Sequence, residues 1–444
     1  MADSNTRLAN RILAGLGIGV VAGIATLLLG HVYPPALVWA QNVSTEVLDP
    51  FGQVFLRTLF FVVIPLVFAS LATGVAQLGR LDRLGPLAGR TFGFFTLNMI
   101  VGVALGLVMM NVLQPGDYLA EETKNKLLSE YGLAAQRTVE THTSQERMSA
   151  MKVVDMFMPK NLFGAFVGNT RGTLGDVLPL IVFAILVGAA ATQLSEDKRA
   201  RAQAGLELVT ELMTRIVHFA LRLAPYAVPA MIYSVVVKLG VDILVALGVF
   251  VLGCIFVLLL HLFGTMSVFL KIWSTRSPAV FFRDIKTVLV TAFTTSSSNA
   301  TLPASIEVAR DTLRVSPSTA GFVLPLGATM NMSGTALYEG CVVLFVAQVF
   351  GVDLSLLQQL TLLMLSVLSA VAVAGIPGGS LPLIAGLLIS FGIPPEGIGI
   401  VIGADRILDM TRTVVNVGAD LVTTVIVDEK VRKGQTAANT ANAN

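Results

Sequence analysis

Residues 403–420 read Gly403-Ala404-Asp405-Arg406-Ile407-Leu408-Asp409-Met410-Thr411-Arg412-Thr413-Val414-Val415-Asn416-Val417-Gly418-Ala419-Asp420. At about 100° per residue, Asp405, Asp409, Arg412, Asn416 and Asp420 fall within one helical stripe about 80° wide. From first to last the stripe rises about 22 Å, most of a ~30 Å hydrocarbon core. The rest of the chain puts this helix in a bilayer. Its 444 residues are 54% apolar and 13% charged, with a mean hydropathy of +0.78, whereas soluble proteins carry about 25% charged residues. The long apolar runs lack the alternation of an outer-membrane barrel and leave room for roughly eight helical crossings. An all-α integral membrane protein follows, and a soluble enzyme is excluded.

Four ionised side chains facing lipid would cost roughly 10 kcal/mol, at about 2.5–3.5 kcal/mol each near a helix centre. The stripe therefore lines a protein interior or an aqueous cavity. A set of buried ion pairs would account for Asp409 and Arg412, three residues apart on one face. It would leave a surplus of negative charge: three carboxylates against Arg412, or two against one if Arg406 compensates Asp405 from the flank. That surplus asks for cations. Arginine grips a carboxylate bidentately, and an aspartate one turn away suits an ammonium. Together they describe an amino acid bearing an extra carboxylate.

Upstream, Thr294-Thr295-Ser296-Ser297-Ser298-Asn299 interrupts an apolar segment whose flanks of about ten residues cannot cross alone. Ala374-Gly375-Ile376-Pro377-Gly378-Gly379-Ser380 interrupts another, with flanks of roughly 15 and 13 residues. Each is followed by a full-length apolar span, 317–349 and 397–427. Recurrence of this unit marks an internal repeat with broken helices whose ends point at a ligand near the midplane. Two helices merely kinked by Gly, Ser and Pro are the bland alternative. Matching positions favour two re-entrant hairpins. Within 317–349, Gly327-Ala328-Thr329-Met330-Asn331-Met332-Ser333-Gly334-Thr335 is a polar interruption whose carbonyls suit a hard cation such as sodium. Glu339 follows, a membrane carboxyl without an evident basic partner, able to load and unload a proton; a neutral acid that never titrates is its alternative.

The other apolar spans are 11–30, 53–79, 91–113, 174–195, 206–236 and 241–270, with a polar insertion at 117–152 read as an external loop. Arg7, Arg11, Arg80, Arg83, Arg90, Lys198, Arg199 and Arg201 flank these spans on one side, while 31–50 holds no Lys or Arg. Both termini are thus expected in the cytoplasm. Thirty basic and twenty-eight acidic residues balance too closely for a nucleic-acid binder. Cys254 and Cys341 lie in apolar runs and imply no disulfide framework. No histidine accompanies the serine run, which argues against an intramembrane hydrolase.

At these residues the chain resembles the glutamate/aspartate transporter family, the dicarboxylate/amino acid:cation symporters. The resemblance runs from the first span to Asp428. It rests on Ser296-Ser297-Ser298-Asn299-Ala300-Thr301-Leu302-Pro303, Asn331-Met332-Ser333-Gly334-Thr335-Ala336-Leu337-Tyr338-Glu339, Ala374-Gly375-Ile376-Pro377-Gly378-Gly379, and Asp405 to Asp420. It implies a homotrimer in the plasma (inner) membrane, each subunit with eight transmembrane helices and two re-entrant helical hairpins in inverted repeats, working as an elevator. Spans 1–2 (1–90) and the external loop with spans 4–5 (117–236) would be scaffold. Span 3 (91–116) and 237–444 would be the transport domain. By motif position, Ser297, Ser298, Thr335, Asp409, Arg412, Thr413 and Asn416 would hold substrate, with Gly375, Ile376 and Pro377 at the gating hairpin tip. One sodium would use Gly327, Asn331, Asn416 and Asp420; a second would use backbone near Thr329, Ala370, Val371 and Val373, with Met332 close by. Glu339 matches the proton carrier of proton-coupled members.

Ser333 stands where the family usually has an aspartate, and Phe95, Asn98 and Met99 replace a tyrosine and hydroxyl residues, so a third sodium is not expected. The family's additional arginine is also missing: Ser296 and Met410 stand there. The expected activity is symport of aspartate or glutamate with protons, sodium or both, without cofactor or covalent chemistry. A C4-dicarboxylate carrier is the alternative that Asp409 opposes, since malate or succinate has no ammonium. A neutral amino acid would leave Arg412 without its anion.

Overall fold

The computed structural model describes residues 2–78, 86–120, 123, 158, 160–163, 177–373 and 379–443. Gly375, Ile376, Pro377, Arg80, Arg83 and nearly all of the polar insertion at 117–152 lie outside them. The described residues are helices, turns and connecting segments, with no strand among them.

In chain order the helices are α1 (Ala2–Val32), α2 (Pro34–Val43), α3 (Asp49–Phe60), α4 (Val63–Leu78), α5 (Pro86–Leu113), α6 (Val177–Thr192), α7 (Glu196–Leu221), α8 (Ala224–Leu239), α9 (Asp242–Leu259), α10 (Met266–Trp273), α11 (Pro278–Thr295), α12 (Ser298–Asp311), α13 (Pro317–Met330), α14 (Ser333–Val349), α15 (Leu356–Ala372), α16 (Leu381–Ser390) and α17 (Ile398–Ala443). Two π-helical segments, Ser44–Leu48 and Leu260–Thr265, join α2 to α3 and α9 to α10 without a loop. Six stretches of described helix are long and apolar enough to cross a membrane, seven if the bent pair α7–α8 is one span.

Two regions differ from the sequence reading. Residues 31–50 are helical apart from Tyr33, because Pro34 and Pro35 occupy the opening turn of α2, where proline's missing N–H costs nothing. The run 206–236 is divided by a 59° bend, because Pro225 cannot continue α7 and instead opens α8.

Local chemistry sets both interruptions. Ser296 ends α11 in the left-handed region, φ 50°, and the Ser297 side chain caps α12 by accepting from Ala300 N. On the other repeat, Ser355 and Gln358 form a reciprocal capping box that starts α15, which ends before the second interruption.

α14 is buried on every side except at Gln348, packed among α5, α9, α15 and α17. α17 also receives α11 and α13, and α1 lies along α8 as α4 does along α6. Large apolar side chains on α1, among them Ile18, Val21 and Leu28, face outward, as a lipid-facing helix requires. Two turns beyond the stripe, Asp428 ties α17 to the start of α13 by accepting from Ser316 N and Oγ, and pairs with Arg432 at 2.8 Å. The charged stripe is thereby held at the centre of the bundle.

Candidate functional site

The stripe is buried along its length: Asp405, Asp409, Arg412, Asn416 and Asp420 are each less than a tenth exposed, and Arg412 only 1%. Arg412 Nη2 donates to Asp409 Oδ1 at 2.9 Å and to Asp405 Oδ1 at 3.2 Å; Nη1 donates to Ser380 Oγ at 2.5 Å. Its guanidinium lies 4.1 Å from the centre of the Tyr338 ring, and the Tyr338 hydroxyl donates to Asp405 Oδ1 at 3.0 Å. Nε has no hydrogen-bond partner among the described residues. A buried charged N–H left unpaired carries its full desolvation cost, so this geometry leaves a place for one more acceptor.

Arg406, which the sequence allows as a partner for Asp405, stands on Asp409, Nη1 to Oδ2 3.7 Å. Neighbouring residues on a helix point about 100° apart, whereas residues three apart share a face. Two arginines therefore balance two aspartates here, and the surplus reduces to Asp420.

One turn below, Asn416 closes the break between α13 and α14. Its Oδ1 accepts from Gly334 N at 2.7 Å and Thr335 N at 3.3 Å, satisfying N–H groups that the start of α14 leaves open. Its Nδ2 reaches Thr335 Oγ1 at 3.1 Å and Met332 Sδ at 3.2 Å. Asp420 accepts from Asn331 Nδ2 at 2.9 Å and has no Lys or Arg partner among the described residues. Its carboxylate lies against Gly327, where a Cβ would approach Oδ1 to 2.3 Å. A buried carboxylate with no Lys or Arg partner among the described residues, beside the last turn of α13, suits a small hard cation.

The expected residues thus fall into two joined groups: Asp409 and Arg412, and Asn416 with Thr335, Met332, Asn331, Gly327 and Asp420. Thr413 Oγ1 is turned onto its own helix, donating to Asp409 O, and Thr329 Oγ1 likewise donates to Leu326 O. Ser297 and Ser298 are buried at the start of α12. Ala370 and Val373 are buried at the end of α15, and Val371 and Met330 both lie close to Gly74 of α4, within 4 Å of where its Cβ would stand. Sequence reasoning placed neither Tyr338 nor Ser380 at the site. Tyr338 lies three residues after Thr335, on the same helical face, and Ser380 closes the second interruption; both were usable signals.

Where the family has a third ion site, which is not expected here, Asn98 Nδ2 donates to Asn331 Oδ1 at 3.1 Å, Phe95 and Met99 are buried, and Ser333 Oγ and Asn98 Oδ1 have no partner among the described residues. Glu339 is fully buried, and neither carboxyl oxygen makes a hydrogen bond to a described residue. The Ser369 hydroxyl and the Arg412 guanidinium are the groups that bear on it.

The profile of the sodium:dicarboxylate symporter family matches residues 8–430. The chain belongs to this family. Against individual members of known activity, it is 31% identical over 428 residues to the proton/sodium-glutamate symport protein of Bacillus subtilis (strain 168), covering 95% of this chain and 92% of that one. It is 28% identical over 428 residues to the proton/glutamate-aspartate symporter of Escherichia coli (strain K12), covering 96% and 93%. It is 27% identical over 425 residues to the C4-dicarboxylate transport protein of Bacillus subtilis (strain 168), covering 95% and 92%. As a family member with several membrane-spanning helices, the chain is a multi-pass membrane protein.

Proposed function

We propose that this protein is a secondary active symporter that takes up aspartate or glutamate together with protons, sodium or both. The observation that carries the reading is Arg412, buried beside Asp409 with an Nε that has no partner among the described residues. Arg412 receives the distal carboxylate and Asp409 the ammonium. Ser297, Ser298, Thr335, Thr413 and Asn416 complete the substrate site, with Gly375, Ile376 and Pro377 at the hairpin tip. One sodium sits among Gly327, Asn331, Asn416 and Asp420, and a second near Thr329, Met332, Ala370, Val371 and Val373. Glu339 carries the proton.

Charge balance supports the coupling. Asp405, Asp409, Arg406 and Arg412 sum to zero, and a sodium neutralises Asp420. An acidic amino acid adds one negative charge, so a further cation must accompany it through a medium where a bare ion costs several kcal/mol. The resemblance supports eight spans and two hairpins, a scaffold of 1–90 and 117–236, a transport domain of 91–116 and 237–444 moving as an elevator, and a homotrimer. The distribution of Lys and Arg supports cytoplasmic termini in the plasma (inner) membrane.

Purified protein in liposomes, given labelled aspartate with sodium and pH gradients imposed separately, tests the reading. Accumulation against the aspartate gradient under either gradient is expected. Uptake of succinate in preference to aspartate would overturn it and turn the reading to a C4-dicarboxylate.

Ser333→Asp is expected to raise sodium dependence. The Ser333 hydroxyl is buried without a partner among the described residues, and a carboxylate there would be uncompensated unless a cation binds. The apparent sodium affinity and the Hill slope of uptake read the effect; no change would assign the loss of the site to Phe95, Asn98 and Met99.

A further inference from the structure

Buried hydroxyls on the helices of this protein commonly satisfy themselves on their own backbone. Thr73 donates to Ala69 O, Ser305 to Thr301 O and Thr424 to Asp420 O, each four residues back. Ser366 and Ser369 of α15 do not. They are 0% and 1% exposed, and neither Oγ has a hydrogen-bond partner among the described residues. Standing three apart, they share one face of the helix. An unsatisfied buried hydroxyl carries its desolvation cost uncompensated, so α15 presents two donors that call for a partner.

The helix packed against α15 carries a group with the complementary need. Both carboxyl oxygens of the buried Glu339 on α14 lack a hydrogen-bond partner among the described residues. Ser369 comes close enough to act on this carboxyl without forming a hydrogen bond to it. An ionised carboxylate is an acceptor only, with about four lone-pair sites, and burial makes unmet acceptors costly. Other ionisable groups on the elements packed against α14 are few. α15 and α16 have none, α5 has Arg90 near its start, and the segment Pro115–Tyr118 has the exposed Asp117 and Tyr118. α9 has Asp242 at its first residue and Cys254, whose thiol meets Cys341 of α14. His261, beyond α9, lies against Gly102 of α5. From α17, Arg412 bears on Glu339 while hydrogen-bonded to Asp405, Asp409 and Ser380; Tyr338 donates to Asp405, and Asp420 accepts from Asn331. Ser369 is the neutral donor left for Glu339.

We propose that Ser369, with Ser366 about one turn earlier, is a positioning residue for proton carriage: when Glu339 releases its proton, these hydroxyls donate hydrogen bonds to the carboxylate that remains. In that step the carboxyl O–H bond breaks, its electron pair stays on Glu339, and the proton passes to water on the side of release. The serines keep their own protons throughout. They make release easier by stabilising the ionised form, and they do so without drawing Arg412 away from the substrate site. The assignment rests on the reading of Glu339 as the proton carrier.

Aspartate uptake into liposomes, measured over a series of external pH values, tests it with Ser369→Ala, with the double variant Ser366→Ala/Ser369→Ala, and with Ser369→Thr, which keeps the hydroxyl. Without the donors the acid should hold its proton to higher pH. The expected result is that the pH of half-maximal uptake moves upward by about one unit in Ser369→Ala, a tenfold change on the scale of one hydrogen bond to a charged group. It should move further in the double variant and stay at the wild-type value in Ser369→Thr. Exchange of external for internal aspartate needs only the loaded form and should keep its rate. An unmoved midpoint in the double variant overturns the proposal, and a matching fall in uptake and exchange would then make the serines packing residues. Movement to lower pH overturns it too, because the hydroxyls would be partners of the protonated acid. Glu339→Gln separates the two readings. If that variant keeps the wild-type pH response, the proton-carrier reading fails and the serine assignment with it; if it loses the response while the double serine variant keeps the wild-type midpoint, the serine assignment alone fails.

Discussion

Arg412→Ala is expected to abolish the uptake of aspartate and glutamate and to weaken their binding by at least about a hundredfold. Charge-assisted pairs with a buried guanidinium are the strongest contacts the site can offer a second carboxylate. Loss of one partner from a buried ionic network costs about 3–5 kcal/mol, a factor of about a hundred or more. The variant also removes the cation that Asp405 and Asp409 share, leaving the Tyr338 hydroxyl on Asp405 and Arg406 3.7 Å from Asp409. Cationic or neutral amino acids should then compete with aspartate on better terms than in the wild type. Arg412→Lys restores the charge without the planar fork, and should recover a minor part of the affinity. Titration of purified protein with aspartate, alongside a thermal melt to establish folding, measures the effect; full retention of aspartate affinity in a folded Arg412→Ala protein would remove the carboxylate assignment.

The reason this could be foreseen from the chain lies in periodicity. Five polar side chains at helical spacing must share a face wherever the helix goes, so the stripe from Asp405 to Asp420 was fixed before its neighbours were known. The polar interruptions were legible for a similar reason: Ser296, Ser297 and Asn331 each stand where a spanning helix would need apolar residues, and α11, α13 and α15 do end at those breaks. The arrangement around Arg412 was not legible, because its residents come from segments distant in the chain. Tyr338 is brought over the guanidinium by the packing of α14 on α17, and Ser380 by the start of α16. The assignment of Arg406 went to its sequence neighbour, and helical geometry gave it to Asp409. The run 206–236 reads as one span, and the break at Pro225 was missed; there, as at Pro34, proline opens a helix. Asn416 was expected at the substrate and at an ion, whereas its capping of Gly334 N and Thr335 N ties the two sites through one side chain.

Glu339→Gln separates proton coupling from sodium coupling. Glutamine keeps the size and polarity of a protonated glutamate and can neither take up nor release a proton. Glu339 is fully buried on α14, with the Ser369 hydroxyl and Arg412 as the groups that bear on it. An ionised carboxylate there would stand alone in a low-dielectric setting at a cost of several kcal/mol, and a proton moving with the substrate removes that cost. The carrier that binds a proton outside and releases it inside gains from an acid exterior, so wild-type uptake should rise as the external pH falls. In Glu339→Gln the group is neutral in every state. External acidification should then produce no increase, and an imposed pH gradient should drive no accumulation. Exchange of external for internal aspartate needs only the loaded form and should persist, and a sodium gradient should still drive uptake. The outcome that would discard proton carriage is an unaltered pH response in the glutamine variant, because a neutral hydrogen-bonded acid that never titrates is mimicked by glutamine in all respects. Loss of exchange together with loss of pH dependence would instead show that the Glu339 carboxyl is needed to hold α14 against α15, and Glu339→Asp, which keeps the acid on a shorter stem, would then separate packing from titration.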